Sequence, residues 1–562
     1  MTTLPPFLWF FLGAIVVAAL RGHAQKAALL LIPILGGIAL LGMEEGAIGQ
    51  LTILDYTLTP VRVDKLSLLF GYLFHLAAFI AFVFALHVRD TVQHVAGLFY
   101  AGSAIGAAFA GDLISLFIFW EIMALSSVFL ILARRTERAR ATGLRYLIIQ
   151  VLSGVLLLAG ALVYFRETGS LAFGHIGLAG LGGWLIFLAF GIKCAFPLLH
   201  NWLTDAYPEA TPTGAVLLSA FTTKVAVYAL ARGFSGTELL VYIGVIMTCF
   251  PIFYAVIEND LRRVLSYSMI NQIGFMVCGI GIGTQLAVNG AVAHAFNDVF
   301  FKGLLMMSMG AVLYRTGRIN GSDLGGLYKT MPITAGFCLV GAASISAFPL
   351  FSGFVSKSLV MVAALGEGYH WVWLGLLFAS AGVFHHAGIK IPYFAFFAHD
   401  SGIRAKEPPL NMLIAMGMAA TICVFVGIYP FVLYDLLPYP VTYFPFDATH
   451  VIAQIQILFF SALAFVWLQK NGLYPPELRS VNLDAEWLYR RLLPRAIGKF
   501  LDWGRPLDRG MREFWRGRAK RSMDAFHVAF GPRSLIAGTY PSGRMVLWVA
   551  ALLGVYLIFY LR

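Results

Sequence analysis

The sequence predicts an all-α polytopic membrane protein with about sixteen transmembrane helices, and three observations carry that prediction. Of 562 residues, 59% are hydrophobic and 12% charged, with mean hydropathy +0.80; a soluble domain carries about 25% charged residues. Apolar runs of roughly 17 to 25 residues recur along the whole length, each long enough to cross a hydrocarbon core of ~30 Å as a helix. The alternating segments of about ten residues that mark a membrane β-barrel are absent from the sequence.

The runs follow in order. The first, 4–20, lacks a basic leader and a small-residue cleavage site, so it reads as an uncleaved span. With 26–42 and 66–88 it makes an N-terminal section, residues 1–90. Runs 93–110, 112–132, 143–165, 180–199 and 214–233 form a five-helix block over 91–236. Runs 238–257, 264–283, 287–313, 332–365 and 371–398 form a second block over 237–400. Two more, 411–436 and 450–469, occupy 401–470, and a last span, 545–561, lies in 544–562. Between them, 471–543 is rich in Arg and aromatics. Its Leu493, Ile497, Phe500, Leu507, Met511 and Phe514 recur at helical spacing. One or two interfacial amphipathic helices are expected there, interrupted near Pro494 and Gly504–Pro506.

The net charge of +12 is a topological signal. Thirty of the forty Lys and Arg fall in segments on one side of the alternating spans, five on the other and five within spans. The positive-inside rule then places the N-terminus outside and 471–543 in the cytoplasm of a cell inner (plasma) membrane protein. Charges strung along loops on one side of a bilayer do not make a nucleic-acid surface. The five cysteines (Cys194, Cys249, Cys278, Cys338, Cys423) form no CxxC or Cys/His cluster and are expected to be buried free thiols.

The informative residues are the ionisable ones at membrane depth. All five intramembrane cations are lysines: Lys193, Lys224, Lys302, Lys357 and Lys390. A buried lysine can shift its pKa by units and Arg effectively cannot, so the choice suits a chain that passes protons. Glu121 and Asp298 are the acids among them. His294, Asp298 and Lys302 are spaced by four and share one helical stripe, and His386 and Lys390 repeat that spacing. His200 stands near Lys193. Intramembrane charge of this kind marks an ion path more often than a satisfied ion pair.

Two helix breaks accompany the lysines. Phe-Pro-Leu occurs at 196–198 and 348–350, so Pro197 and Pro349 interrupt runs beside Lys193 and Lys357. The interval from Lys193 to Lys224 nearly equals that from Lys357 to Lys390. With five spans per block the two blocks run in opposite senses, which is the pattern of inverted repeats with broken helices lining an internal ion path.

The motifs WE (120–121), GIKCAFPLLHNWLTDAYPEATPTGA (191–215), TTKVAVYAL (222–230), HAFNDVFFKGLLMMSMG (294–310) and FPLFSGFVSK (348–357), with DKLS at 64–67, resemble the antiporter-like membrane subunits shared by Mrp-type multisubunit Na+/H+ antiporters and respiratory complex I. The resemblance covers roughly residues 60–400 and is greatest to Mrp D-type subunits. It implies an ion-translocating subunit that works only within a complex of other membrane subunits, moving protons, with Na+ as a second candidate ion. It implies that Glu121 pairs with Lys193, that Lys224 is a relay lysine, that His294 and Lys302 form a central group, and that Lys357 is terminal. Asp298 departs from many relatives, which carry a second histidine or another residue there. No motif binds NADH, flavin, quinone or a metal, so no cofactor and no redox or hydrolytic site is expected. The alternatives are a proton-pumping subunit of a complex I-like NADH-quinone oxidoreductase or membrane hydrogenase, and the membrane subunit of an inorganic-carbon uptake system.

Overall fold

The computed structural model describes residues 4–53, 56–479, 482–531, 534 and 541–561, and the side chains of all of these except 53, 56 and 507. The chain is mostly helical and divides into two compact units, residues 1–482 and 483–562.

The first unit begins with α1 (Pro6–Ala19) and α2 (Gly22–Leu41), followed by four three-residue strands, β1 (Gly46–Ile48), β2 (Leu51–Ile53), β3 (Tyr56–Leu58) and β4 (Val61–Val63). These pair antiparallel as β1 with β4 and β2 with β3, a small loop structure that the sequence reading left unassigned. Then come α3 (Lys65–Ala85), α4 (Thr91–Phe109), α5 (Leu113–Leu132), α6 (Glu137–Thr168), α7 (Leu181–Lys193), α8 (Asn201–Ala206), α9 (Pro212–Ala220) and α10 (Thr222–Gly233). A second series follows: α11 (Leu239–Ile257), α12 (Leu261–Ile282), α13 (Gln285–Thr316), α14 (Pro332–Ile345), α15 (Ser352–Gly366) and α16 (His370–Phe397). Two more, α17 (Leu410–Ile428) and α18 (Ala448–Lys470), complete the unit.

Among the described residues, twelve of the sixteen apolar runs form helices long and apolar enough to cross a membrane. The other four differ for local reasons. Helix α1 has 14 residues, and α4 carries Gln93 and His94 in a Gly- and Ala-rich stretch. The remaining two runs are split by the Phe-Pro-Leu breaks, into α7 and α8 and into α14 and α15. The run at 214–233 also divides, at Phe221, into α9 and α10, although its sequence contains no proline after Pro212. Residues 384–389 and 393–397 of α16 are π-helical and flank Lys390.

Polar caps set the helix starts. Asp64, Asp90, Asp112, Thr136, Thr211, Asp260 and Thr284 each accept a backbone N–H of the following turn. Some of these caps recur at a fixed interval. Helices α6 and α13 both have 32 residues, start after Thr136 and Thr284, and end at left-handed Gly169 and Gly317. Before them, Asp112 and Asp260 cap α5 and α12 and bridge to Ala172 and Asn320 respectively. The interval is identical in all four pairs: Asp112 to Asp260, Thr136 to Thr284, Gly169 to Gly317, and Ala172 to Asn320.

The second unit holds α19 (Leu493–Phe530), preceded by a π-helical turn at Leu488–Leu492, and α20 (Ser542–Tyr560). The expected interruption near Gly504–Pro506 is absent: α19 is one helix with Pro506 inside it. The ring costs one backbone hydrogen bond, and the flanking turns carry the helix through. Residues 471–479 and 482 fall within the first unit.

Candidate functional site

The two breaks share one backbone. The tetrapeptide Ala-Phe-Pro-Leu occupies 195–198 and 347–350, with positive φ at Ala195 (60°) and Leu198 (69°), and again at Ala347 (58°) and Leu350 (72°). In the first, Ala195 N donates to Ile192 O at 3.1 Å and Phe196 N to Gly191 O at 3.0 Å. In the second, Ala347 N donates to Ser344 O at 3.1 Å and Phe348 N to Ala343 O at 3.0 Å. This is a helix C-terminus closed on a left-handed residue, a place normally held by glycine. Using alanine there stores strain of about 1 kcal/mol per residue, and it leaves carbonyls at the helix end for other donors.

The lysines take such carbonyls. All five intramembrane lysines are buried, at 0 to 2% exposure. Lys193, the last residue of α7, donates to Trp120 O at 2.7 Å with its ammonium 4.5 Å from the indole centroid. Trp202 Nε1 donates to Ile192 O at 2.8 Å, so an indole rather than an ammonium closes the end of α7. At the second break Lys357 reaches back from α15 to Ile345 O at 2.7 Å, 5.1 Å from the Phe275 ring centroid. Glu121 and Lys193 act on each other electrostatically, while the ammonium's hydrogen bond goes to the Trp120 carbonyl and Glu121 packs on Gly154 of α6. A Cβ at 154 would coincide with Glu121 Oε1.

The His294–Asp298–Lys302 stripe lies on α13, fully buried, but its members do not pair with one another. Asp298 Oδ2 makes an ion pair with Lys224 of α10 at 2.5 Å. Lys224 also donates to Ser219 O at 3.2 Å, a carbonyl freed where α9 stops short of Phe221. Lys302 donates to Ser268 Oγ at 2.7 Å. His294 contacts Ser356 Oγ through Nδ1 at 2.9 Å and Gln272 Oε1 through Nε2 at 3.1 Å. Gln272 continues to Asn271 Oδ1 at 2.6 Å. His386 is buried, with the Gly382 carbonyl one turn back within reach of its ring. Lys390 donates to Val256 O and Glu258 O at 2.6 Å each and pairs with Glu477 Oε1 at 2.9 Å. His200 stands at the N-cap of α8 against the Phe250 ring, at 4.7 Å between centroids.

A family model described as the transmembrane region of NADH:quinone oxidoreductase/Mrp antiporters matches residues 110–385, the stretch from the start of α5 into α16 that holds nearly all of these groups, His386, Lys390 and Glu477 excepted. Residues 110–385 belong to that family. The chain is similar to the D-type component of a Na(+)/H(+) antiporter of Alkalihalophilus pseudofirmus, 32% identical over 285 residues, 47% of this chain and 58% of that protein. It is also similar to hydrogenase-4 component B of Escherichia coli K12, 28% identical over 352 residues, 55% of this chain and 52% of that protein. The chain thus spans little more than half the length of these two relatives. Among solved structures, it matches a chain of the Mrp complex from Dietzia sp. DQ12-45-1b with TM-score 0.66 and 19% identity, over 84% of this chain and 98% of that one. It matches a chain of the membrane-bound sulfane sulfur reductase, an archaeal respiratory membrane complex, with TM-score 0.70 and 22% identity, over 99% of both. These likenesses are of fold.

Within the antiporter-family segment, the sequence pointed to the charged groups but not to their neutral partners. Ser268, Gln272 and Ser356 are ordinary residues of apolar helices until the helices are packed. Arg262 was counted as a loop cation, yet it is 1% exposed and donates to Tyr207 O and Ala210 O at 3.0 and 2.9 Å, fixing the turn between α8 and α9. Glu477 was missed because it sits in a Pro-Pro-Glu stretch beyond the last span of the bundle; the one available signal was an acid flanked by apolar residues.

Proposed function

We propose that this chain is the ion-translocating subunit of a multisubunit cation/proton-translocating complex, passing protons along Lys193, Lys224–Asp298, His294, Lys302 and Lys357, with Glu121 as an acid beside the first lysine. The observation that supports this most is the pattern of partners. Of the five buried lysines, only Lys224 and Lys390 meet a carboxylate among the described residues; the others donate to carbonyl or hydroxyl oxygens. A neutral partner satisfies an ammonium without locking it, and a hydroxyl can also donate a hydrogen bond to the deprotonated amine. A purely structural ion pair needs its carboxylate.

On this reading the two series α4 to α10 and α11 to α16 are inverted repeats, sixteen spans cross the bilayer, the N-terminus lies outside and the basic segment lies in the cytoplasm. The recurrence of caps and helix ends at one constant interval supports the repeats. Mrp-type cation/proton exchange is the lead assignment, from the similarity to the Alkalihalophilus pseudofirmus protein. One observation favours redox-driven pumping as the second. The sulfane sulfur reductase chain is matched over 99% of this chain, the C-terminal unit included, whereas the Mrp chain is matched over 84%.

The test is ΔpH formation by inverted membrane vesicles that hold the whole complex, energised in turn by a sodium gradient and by an electron donor. Lys302→Met removes a titratable group without stranding a carboxylate. It is expected to lower flux ~100-fold, the scale of a lost proton-transfer group, with complex abundance on native gels unchanged. Flux at the unmodified rate would sink the relay.

A further inference from the structure

Beyond the antiporter-family segment, the stretch after α18 folds back onto the bundle. Gly472, at φ 65°, turns the chain. Tyr474 packs on Phe465, His385 and Phe394, with ring centroids 5.1, 5.4 and 6.1 Å apart. Arg479 donates to both oxygens of Asp323 at 2.7 and 2.8 Å, and Asn482 Nδ2 to Glu258 Oε2 at 3.3 Å. Between these anchors Glu477 places its carboxylate, 6% exposed, on buried Lys390. A cleft of about 430 Å³ lies beside it, lined by Glu477, Tyr474, Ser322, His399 and Gln469.

We infer that Glu477 is the outermost acid of a second charged route, Lys302–His386–Lys390–Glu477, and that residues 471–479 are a strap carrying this acid to the end of α16. The inference rests on the proton-translocation reading above and names a residue that reading did not contain. Three observations carry it. His386, fully buried and one helical turn before Lys390, is acted on electrostatically by Lys302, His385 and Lys390. Lys390 is flanked by π-helical turns, a distortion concentrated at functional positions. The cleft runs beside Glu477, whose carboxylate oxygens are themselves buried and met by Lys390.

The surroundings of Glu477 agree. It faces Lys390 from α16 and Glu258 from the turn between α11 and α12. Burial raises its carboxyl above the ordinary carboxylate range, and Lys390 opposes that rise. Such an acid can exchange a proton with its lysine instead of remaining a fixed anion.

The test again uses the whole complex in inverted vesicles, whose exposed face is the one carrying the strap on this reading. Glu477→Gln and Glu477→Cys are each expected to lower flux ~100-fold, the scale of a lost proton-transfer group, with abundance unchanged. Treating the assembled Glu477→Cys complex with carboxyethyl methanethiosulfonate should restore at least half the flux. Sulfonatoethyl methanethiosulfonate returns a charge that does not titrate, and should restore none. Equal rescue by both reagents would make the pair structural and overturn the inference. So would full flux in Glu477→Gln beside a Lys302→Met complex that has lost it. A Lys302→Met complex that keeps its flux would fail the relay and this route together.

Discussion

The break after α7 and the break after α14 use the same four residues in the same backbone, yet their lysines come from opposite sides. Lys193 ends the helix before the first break and leans away from it, onto the Trp120 carbonyl. At the second break Ile345 holds the corresponding place, and the ammonium arrives from the helix beyond it, as Lys357, to bond that residue's own carbonyl. Trp202 closes the end of α7, and Lys357 closes the end of α14. The backbone break is therefore a socket for a donor, and which donor fills it is set separately in each half. Lys224 and Asp298 join the halves, one from each.

The largest expected effect comes from cutting that join. Lys224→Ala leaves Asp298 buried without its cation, at a cost of ~3–5 kcal/mol. Abundance of the complex on native gels should fall steeply, and Lys224→Ala with Asp298→Asn should recover abundance without recovering flux. If Lys224→Ala alone assembles normally, the pair does not hold the halves together. Next comes the asymmetry of the breaks themselves. Arg cannot give up its proton in a protein, so Lys193→Arg should lose flux ~100-fold if proton transfer passes through it. Lys357→Arg should do the same and also disturb the end of α14, visible as a lower melting temperature of the purified complex. Equal melting temperatures for the two variants would erase the distinction drawn between the sockets.

A third change probes Glu121. In α6, Gly154 stands where α13 has Lys302, counted from the threonine caps. Gly154→Ala puts a methyl where the carboxylate lies, so Glu121 must move; overpacking of this kind costs ~1–3 kcal/mol. Flux should fall, and Glu121→Ala in the same chain should relieve the instability but not the flux. The smallest effect concerns the strained alanines. Ala195→Gly and Ala347→Gly release a positive φ and should each stabilise by about 1 kcal/mol or less, after the entropy glycine costs the unfolded chain is subtracted. Similar small gains at both sites would confirm that the two backbones are equivalent, and a gain at one alone would separate them.

The helices were legible because apolar length and polar caps are local properties, and Pro197 and Pro349 announced the breaks. The partners were not. Lys224 meets Asp298 from a helix distant in sequence, and the stripe on α13 suggested instead that Asp298 serves Lys302. Helix geometry makes those two neighbours along a face, but packing turned each toward a different helix. The split at Phe221 left no proline to read, and Pro392, which stands between the π turns around Lys390, was not read as a signal. Pro506 erred the other way, since a proline predicts an interruption that the long helix α19 absorbs.

Position fourteen after each threonine cap has a further consequence. It is Asp298 in α13 and Gln150 in α6, both fully buried. On the proposed reading of inverted repeats, a mechanism built twice with opposite orientation favours neither direction of traffic, because whatever one copy does outward the other does inward. A carboxylate in one series where the other has an amide removes that balance. The amide cannot carry charge, so one divergence between the two series is then enough to give the path an arrow.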